Sequence, residues 1–257
     1  MAMGLTITAL AGLPLFEQGM DLAGAIAAAA GAAGEAIGDH DVVVIAQKVV
    51  SKVEGRTIQL AEITPNGDAH SLARETGRPA ELAQLILDES SEILRATSAA
   101  IIVRHRSGHV LANAGIDSSN VQGGDQDTVL LWPVEADASA RAIRAGLADA
   151  LGTRPAVVIA DSLGRAWRIG TVGTAIGCAG LTVLDDRRGE PDLFGRTLQA
   201  TIVAVADAIA AAAVLAMGEG REGTPVALVR GAGRWVTAED GQGAVGGLRP
   251  IAEDMFR

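Results

Sequence analysis

The segment Pro155–Arg168, PAVVIADSLGRAWR, carries the clearest fold signal in the chain. Its first half, PAVVIA, is a continuous apolar run bounded by polar residues, which is typical of a strand buried on both faces. DVVVIAQ at residues 41–47 has the same character. Amphipathic segments predict helices over 78–96 (RPAELAQLILDESSEILRA) and 137–152 (DASARAIRAGLADALG), the second with Asp137 as its N-cap and Gly152 as its stop.

The remaining pattern mixes strands, one hairpin and Ala-rich helices. Strands are predicted at 5–10 and 225–231, and a hairpin at 99–115 that turns at Ser107-Gly108. Helices are predicted from the N-cap Asp21 to about residue 36 and over 198–217. This order favours an α+β fold with mixed sheets and packed Ala-rich helices over a regular doubly wound sheet. Residues 1–257 form either one domain or two intimately packed subdomains.

The composition excludes several classes of protein. A formal net charge of −10 argues against a general surface for nucleic acid or an anionic membrane, although a local basic pocket is still allowed. The apolar segment 201–218 has Asp207 in its middle, so it predicts a core helix rather than a membrane span. Asp207 itself is interpreted as a satisfied buried carboxylate or as support for a site residue. The single cysteine, Cys178, is expected to be buried and inert, and the chain to be cytoplasmic.

Standard catalytic signatures are missing, but oxygen ligands and cations follow the predicted strands. The chain has no Walker A motif, and both of its G-x-G-x-x-G matches lack the strand–helix context of a dinucleotide site. Asp161 and Ser162 follow a buried strand, with Arg165 and Arg168 close behind, and Asp117 and Asn120 occur in NAGIDSSNVQGGD. Lys48, Lys52 and Arg56 follow another strand. This pattern is compatible with metal-dependent phosphate chemistry, and equally with turn residues and a solvated helix face.

A set of motifs in fixed order resembles one family. They are GLPLF, VVSKVEGR, GRPAELAQLILDES, NAGIDSSNV, DSLGRAWRIGTVGTAIGCAG, DLFGRTLQATIVAVADAIAAAA and MGEGREGTPVALVRG. Together they span about residues 5–231 and resemble the coenzyme F420:L-glutamate ligase family (F420-0:gamma-glutamyl ligase). Some members carry a C-terminal nitroreductase-like domain, which this chain is expected to lack.

The resemblance implies a GTP-dependent ligase that adds L-glutamate to F420-0 through an acyl phosphate and extends a γ-linked tail. It implies two divalent ions (Mg²⁺ or Mn²⁺), a monovalent cation and an intertwined homodimer, and no nucleic-acid or membrane partner. Two other classes of function stay open. One is a metal-dependent phosphohydrolase or a ligase of another acceptor, and the other is a non-catalytic nucleotide-binding subunit.

The resemblance also assigns site residues. Asp117, Asp161, Ser162 and Glu219 would bind metal, and Asp117 and Asp161 are therefore candidate catalytic residues. The candidate nucleotide-binding residues are Leu13, Pro14, Leu15, Gln47, Lys48, Lys52, Asn120, Gly218 and Gly220. Arg165 and Arg168 are predicted to be catalytic from their charge rather than from the family pattern.

Overall fold

The computed structural model describes residues 4–119 and 127–254. In chain order the elements are β1 (Thr6–Ala9), α1 (Leu22–Ala32), β2 (Val42–Ala46), α2 (Gln47–Val53), β3 (Thr57–Gln59), α3 (Gly67–Thr76), α4 (Ala80–Asp88), β4 (Ser90–Ala96), β5 (Ile101–His105), β6 (Val110–Ala112), β7 (Thr128–Leu130), α5 (Ala136–Leu151), β8 (Ala156–Gly164), β9 (Thr171–Ala179), β10 (Leu184–Asp186), β11 (Ile202–Ala204), α6 (Val205–Met217) and β12 (Val226–Arg230).

A five-stranded mixed sheet organises the fold, with strand order β1-β12-β2-β8-β9. Strands β2 and β8 are parallel neighbours, and the other neighbouring pairs are antiparallel. Four residues of β2, from Val42 to Ile45, have no exposed surface. The apolar runs therefore predicted the central strands correctly, because helices cover both faces of the sheet. The expected α+β class with mixed sheets is confirmed.

Two hydrophobic layers sandwich this sheet. Val43 and Ile45 point into the core shared with α1 and α5, and their neighbours Val42 and Val44 point into the core shared with α6. This alternation is the two-residue period of a strand. Burial of each large aliphatic side chain contributes about 1.5–3 kcal/mol. Together the two layers cover both faces of the sheet.

Two glycines of β9 allow the helices to approach closely. A Cβ on Gly173 would lie 2.5 Å from the carbonyl oxygen of Ala210 in α6, and one on Gly177 would overlap the carbonyl of Ala136 in α5. The two glycines face opposite layers although they are four residues apart. The reason is a bulge in the β8–β9 pairing between the Ile159 and Ala160 positions, which shifts the alternation by one residue.

A smaller set of elements packs beside the sheet. It comprises α3, α4, the β3–β7 pair and the three-stranded sheet β4-β5-β6. Its own apolar clusters include Ile86, Ile101 and Val103, all without exposed surface. The β5–β6 hairpin turns at Ser107-Gly108 as predicted. In the described ranges no helix is both long and apolar enough to cross a membrane.

Three helix boundaries differ from the sequence prediction. Helix α1 ends at Ala32 rather than near residue 36, and Gly34 just beyond it has a φ of +73°, which a continuing helix does not allow. The helix predicted over 78–96 ends at Asp88, and Ser90–Ala96 is strand β4, paired antiparallel with β5. Cross-strand pairing therefore outweighs the helical spacing of Ile93. The helix predicted from Leu198 begins at Val205, after the short strand β11.

Two carboxylates also behave differently from expectation. Asp137 does not cap α5; it lies inside the first turn and accepts hydrogen bonds from the backbone N–H groups of Cys178 and Ala244 at 2.8 and 2.7 Å. Asp207 is exposed rather than buried, and it accepts a hydrogen bond from Ala175 N at 3.0 Å. Both side chains tie helix termini to neighbouring segments. The intertwined homodimer stays a prediction.

Candidate functional site

Four segments converge at one edge of the central sheet. The parallel strands β2 and β8 have Ala46 and Ala160 as their last register partners. Gln47 then begins α2, and Asp161 follows at the point where β8 extends past β2, paired only with β9. Strand β12 runs antiparallel to both, which brings the glycine-rich loop before it to the same edge. The loop that follows β1 also arrives there. Carboxyl ends of parallel strands are the usual position for ligands in such sheets.

These segments enclose a cleft of about 590 Å³. Its wall contains apolar side chains, two lysines, four carboxylates and the backbone of the glycine-rich loop. Residues that line it include Leu13, Pro14, Leu15, Phe16, Gln47, Lys48, Lys52, Asp117, Ser119, Asp161, Ser162, Thr171, Gly218, Glu219, Gly220, Arg221, Glu222 and Thr224. The volume lies within the range of sites for small ligands and cofactors.

Asp161 is held by two donors at the floor of the cleft. The indole Nε1–H of Trp132 donates to Oδ2 at 2.7 Å, and the backbone N–H of Ser162 donates to Oδ1 at 2.8 Å. Burial raises the pKa of Asp161 above its ordinary value, and the negative charge of Asp117 raises it further, although both hydrogen bonds oppose this shift. Two nearby carboxylates that repel each other favour a bound cation.

Asp117 reaches the cleft from the smaller set of elements. Its backbone pairs with Leu130, and its carboxylate Oδ2 lies 2.7 Å from Lys48 Nζ. The backbone N–H of Ser119 donates to Oδ1 at 2.6 Å. Burial opposes ionisation of Asp117, but the hydrogen bonds from Lys48 and Ser119 outweigh it and lower its pKa below the ordinary value. Asp117 is thus a carboxylate that stays ionised.

The glycine-rich loop places two further carboxylates at the rim. Glu219 accepts a hydrogen bond from the hydroxyl of Ser162. Glu222 folds back over the loop and accepts a hydrogen bond from Gly220 N at 2.8 Å. Because Ser162 directly follows Asp161, the Ser162–Glu219 pair brings a second set of oxygens next to the first.

Positive charge comes from Arg221 of the glycine-rich loop and from the first two turns of α2. Lys48 and Lys52 are four residues apart and therefore share a helix face. Burial and the charge of Lys48 lower the pKa of Lys52 below its ordinary value. Gln47, at the start of the helix, is buried, and its amide donates to Ser51 Oγ at 2.6 Å. Its amide nitrogen is therefore committed to the protein.

The oxygen donors of the cleft are of the chemical type that binds a hard divalent cation. Carboxylates and a hydroxyl are the ligands that Mg²⁺ and Mn²⁺ prefer. Within residues 4–119 and 127–254, however, no group of three or more His, Cys, Asp and Glu side chains is gathered closely enough to hold a metal ion. A cation shared by Asp117 and Asp161 would therefore need further oxygens, from Ser162, from Glu219 after a side-chain rotation or from a substrate phosphate.

One protein family matches the part of the chain that contains the cleft. The model of the family "F420-0:Gamma-glutamyl ligase" matches residues 12–231, and every lining residue lies within that range. The chain belongs to this family.

Relatives within the family cover most of the chain. The coenzyme F420:L-glutamate ligase of Methanothermobacter thermautotrophicus is 44% identical over 99% of this chain and all of the relative. The ligases of the same name from Methanocaldococcus jannaschii and Methanopyrus kandleri are 43% and 46% identical and cover 86% and 75% of this chain. These matches span 86% and 75% of the two relatives. The resemblance inferred from the motifs is confirmed, and with it the expectation of a ligase.

Most residues predicted for the site lie in the cleft. Those that line it are Leu13, Pro14, Leu15, Gln47, Lys48, Lys52, Asp117, Asp161, Ser162, Gly218, Glu219 and Gly220. Asn120 lies outside the described residues. Arg165 and Arg168 do not line the cleft, since β8 continues to Gly164 and carries both to the exposed β8–β9 turn. At about 3.3 Å per strand residue, Arg165 is roughly 13 Å along the chain from Asp161.

Two residues that hydrogen-bond to the predicted metal-binding aspartates were not predicted from the sequence. Trp132 donates to Asp161, and Ser119 bonds both to Asp117 and to Lys48. Ser119 could have been found, because it lies in the same polar loop as Asp117. Nothing local marks Trp132, because its contact with Asp161 depends on how β7 and β8 are placed in three dimensions.

Proposed function

We propose that this protein is a GTP-dependent ligase that joins L-glutamate to F420-0 and extends a γ-linked glutamyl tail. The observation that carries the proposal is the cleft itself. Asp117 and Asp161 converge there beside Lys48 and the glycine-rich loop, inside the region that matches the ligase family. The family description names F420-0 as the acceptor, and the names of three relatives contain L-glutamate.

The chemistry needs no nucleophile from the protein. A carboxylate oxygen of F420-0 attacks the γ-phosphorus of GTP, the bond to the bridging oxygen breaks, and GDP leaves. The amine nitrogen of glutamate then attacks the acyl carbon of the acyl phosphate. Inorganic phosphate leaves with the electron pair of the broken C–O bond, and the amine loses its proton. A carboxylate, a nucleotide and an amine supply all reacting atoms, so the protein acts by binding and orientation.

The cleft residues match these tasks by charge. Lys48 and Lys52 attract the phosphates of the nucleotide with their ammonium groups. Backbone N–H groups of the glycine-rich loop would bind phosphate oxygens once the Glu222 carboxylate, which accepts from Gly220 N, is displaced. Apolar contacts come from the loop Leu13–Phe16, which provides a surface for a ring system.

The remaining polar residues of the cleft are assigned to divalent cations. Asp117, Asp161, Ser162 and Glu219 would hold Mg²⁺ or Mn²⁺, and these ions would neutralise phosphate charge during transfer. Lys48 then has two anionic partners. Its ammonium group pairs with Asp117 at 2.7 Å, and a substrate phosphate would compete for the same proton donors. This competition would release Asp117 toward the cation as the nucleotide binds.

Product masses test the proposal. The full chain is incubated with F420-0, GTP, L-glutamate and Mn²⁺, and the products are measured by mass spectrometry. Parallel reactions omit one component or replace GTP with ATP. The proposal requires added glutamyl units that depend on every component and on GTP over ATP. GTP hydrolysis without glutamyl products would favour a phosphohydrolase, glutamylation of only another acceptor would change the substrate, and no turnover would favour a non-catalytic subunit.

A further inference from the structure

Trp132 connects the two carboxylate-bearing segments of the cleft. It follows β7, is 1% exposed and donates its indole N–H to Asp161 Oδ2 at 2.7 Å. The same indole lies against Gly115, where a Cβ would overlap Nε1. Gly115 has φ of +71° and occurs two residues before Asp117. A single buried ring therefore contacts the segment of Asp117 and the side chain of Asp161.

The indole is itself held in place from behind. The rings of His105 and His109 pack on it with centroid distances of 5.0 and 5.5 Å. Ser107 Oγ lies 2.8 and 2.9 Å from the Nδ1 atoms of the two histidines and so links them. Arg56 Nε donates to the backbone carbonyl of Trp132 at 2.8 Å. These contacts restrict both the ring and the backbone of Trp132.

The acceptor of this indole distinguishes it from an ordinary core tryptophan. A buried indole N–H needs a partner, and a backbone carbonyl would satisfy it. Here the partner is a carboxylate that lines the cleft, and its other oxygen accepts from Ser162 N. Both oxygens of Asp161 are thus oriented, and each carboxylate oxygen has a further lone pair available. Outer hydrogen bonds of this kind orient ligating carboxylates in metal sites.

We propose that Trp132 is a positioning residue for the cation of this cleft. Its N–H fixes the carboxylate plane of Asp161, and its ring supports the Gly115 turn that places Asp117. The separation of the two carboxylates is then set by one side chain. This inference rests on the proposed function in taking the oxygens of Asp117 and Asp161 as cation ligands.

Binding of Mn²⁺ alone tests the inference, measured on the full chain by electron paramagnetic resonance. Trp132→Phe removes the N–H and keeps an aromatic ring, and Trp167→Phe is the matched control, since Trp167 is 93% exposed. The Kd for Mn²⁺ should rise about tenfold or more in Trp132→Phe, the scale of lost outer-shell partners. Trp167→Phe should match the wild type. A Trp132→Phe protein with wild-type Mn²⁺ affinity overturns the inference.

Ser107→Ala provides a second variant that leaves the indole intact. It removes the hydroxyl that links His105 and His109 and so loosens the support of the ring. The Kd for Mn²⁺ should rise by about twofold or more, because the ring is held less firmly behind Asp161. If Trp132→Phe does not fold, a native Ser107→Ala protein with unchanged Mn²⁺ affinity overturns the inference instead.

The contact can also be observed without metal. The indole ¹H–¹⁵N signal of Trp132 is the one that is missing from the spectrum of Trp132→Phe. In the wild type this signal should exchange slowly with solvent, because its N–H is buried and hydrogen-bonded. Asp161→Ala should speed its exchange with solvent and shift it, and an unchanged signal overturns the inference.

The two proposals fail separately. A wild-type protein that binds Mn²⁺ but forms no glutamyl product contradicts the proposed function, and the comparison of Trp132→Phe with Trp167→Phe still decides the role of Trp132. A wild-type protein that binds no Mn²⁺ overturns the role of Trp132 directly.

Discussion

Asp117→Asn removes one negative charge from the cleft and changes the side-chain shape very little. In the folded protein it weakens the contact with Lys48, whose Nζ lies 2.7 Å from the carboxylate. The two side chains are 38% and 26% exposed, so solvent screens the pair and its contribution is about 0.5–1 kcal/mol. The variant also relieves repulsion with Asp161, which acts in the opposite direction. The net change in the free energy of unfolding is therefore expected to stay within about 1 kcal/mol.

Activity should respond much more strongly. Loss of a charge that holds a cation at the transferring phosphate costs about 3 kcal/mol in the transition state, or more than a hundredfold in rate. A higher Mn²⁺ concentration should recover part of the lost rate, because mass action offsets weaker binding. The midpoint of thermal unfolding should move by only about 2–4 °C, as expected for about 1 kcal/mol in a chain of this size.

The assay measures glutamyl product against Mn²⁺ concentration, with thermal unfolding measured on the same samples. Asp149→Asn is the matched control, since Asp149 is exposed on α5 and does not line the cleft. If Asp117 is only a turn residue, Asn is among its best replacements. Wild-type turnover with an unchanged Mn²⁺ titration in Asp117→Asn would refute the reasoning.

Three further predictions concern groups outside the reacting centre. Burial raises the pKa of Cys178 to about 12, so a thiol reagent at pH 8 should label the native protein very slowly and the urea-unfolded protein fast; rapid native labelling would contradict this. Burial opposes ionisation of Glu89, but its contacts with His105 and Arg56 outweigh burial and lower the pKa of Glu89. The ionised Glu89 therefore stabilises the fold above its unfolded pKa of about 4.3, and this stabilisation is lost as the pH falls through the folded pKa. Urea titrations should therefore show Glu89→Gln less stable than the wild type at pH 7, with a difference that shrinks below about pH 4; a constant difference would be inconsistent with this linkage. Arg144 is 1% exposed and donates to Asp240 Oδ1 at 2.7 Å and to Thr237 O at 2.6 Å. Arg144→Met should therefore lower the free energy of unfolding by about 3 kcal/mol, because it leaves these acceptors without their donor. A loss below about 1 kcal/mol would show that Arg144 does not stabilise the fold through these bonds.

The sequence predicts best where both faces of a segment are buried. Runs such as 42–46 and 156–160 are short, continuous and apolar, as is typical of strands buried on both faces, and both lie in strands of the central sheet. Boundaries were less predictable. Ser90–Ala96 has residues at helical spacing, and only its pairing with β5 makes it a strand. Asp137 has the position of a cap, but the backbone groups that it binds lie about 40 and 107 residues further along the chain.

The residues of the candidate site also fall into predictable and unpredictable ones. Asp161 and Lys48 could be predicted because polar residues directly after parallel strands meet at one edge. Arg165 and Arg168 follow the same strand, but the hairpin with β9 extends β8 past the edge and carries them into solvent. Trp132 could not be predicted, because its partner Asp161 lies 29 residues away on another strand. Long-range register, rather than local spacing, decides both outcomes.

The central claim is that the glutamyl bond forms in the cleft where Asp117 and Asp161 meet. The most direct measurement compares the wild type with Asp161→Asn by mass spectrometry of F420-0 incubated with GTP, L-glutamate and Mn²⁺. We expect glutamyl products with the wild type and at least about a hundredfold less with a folded Asp161→Asn protein. Equal product from both proteins would contradict it.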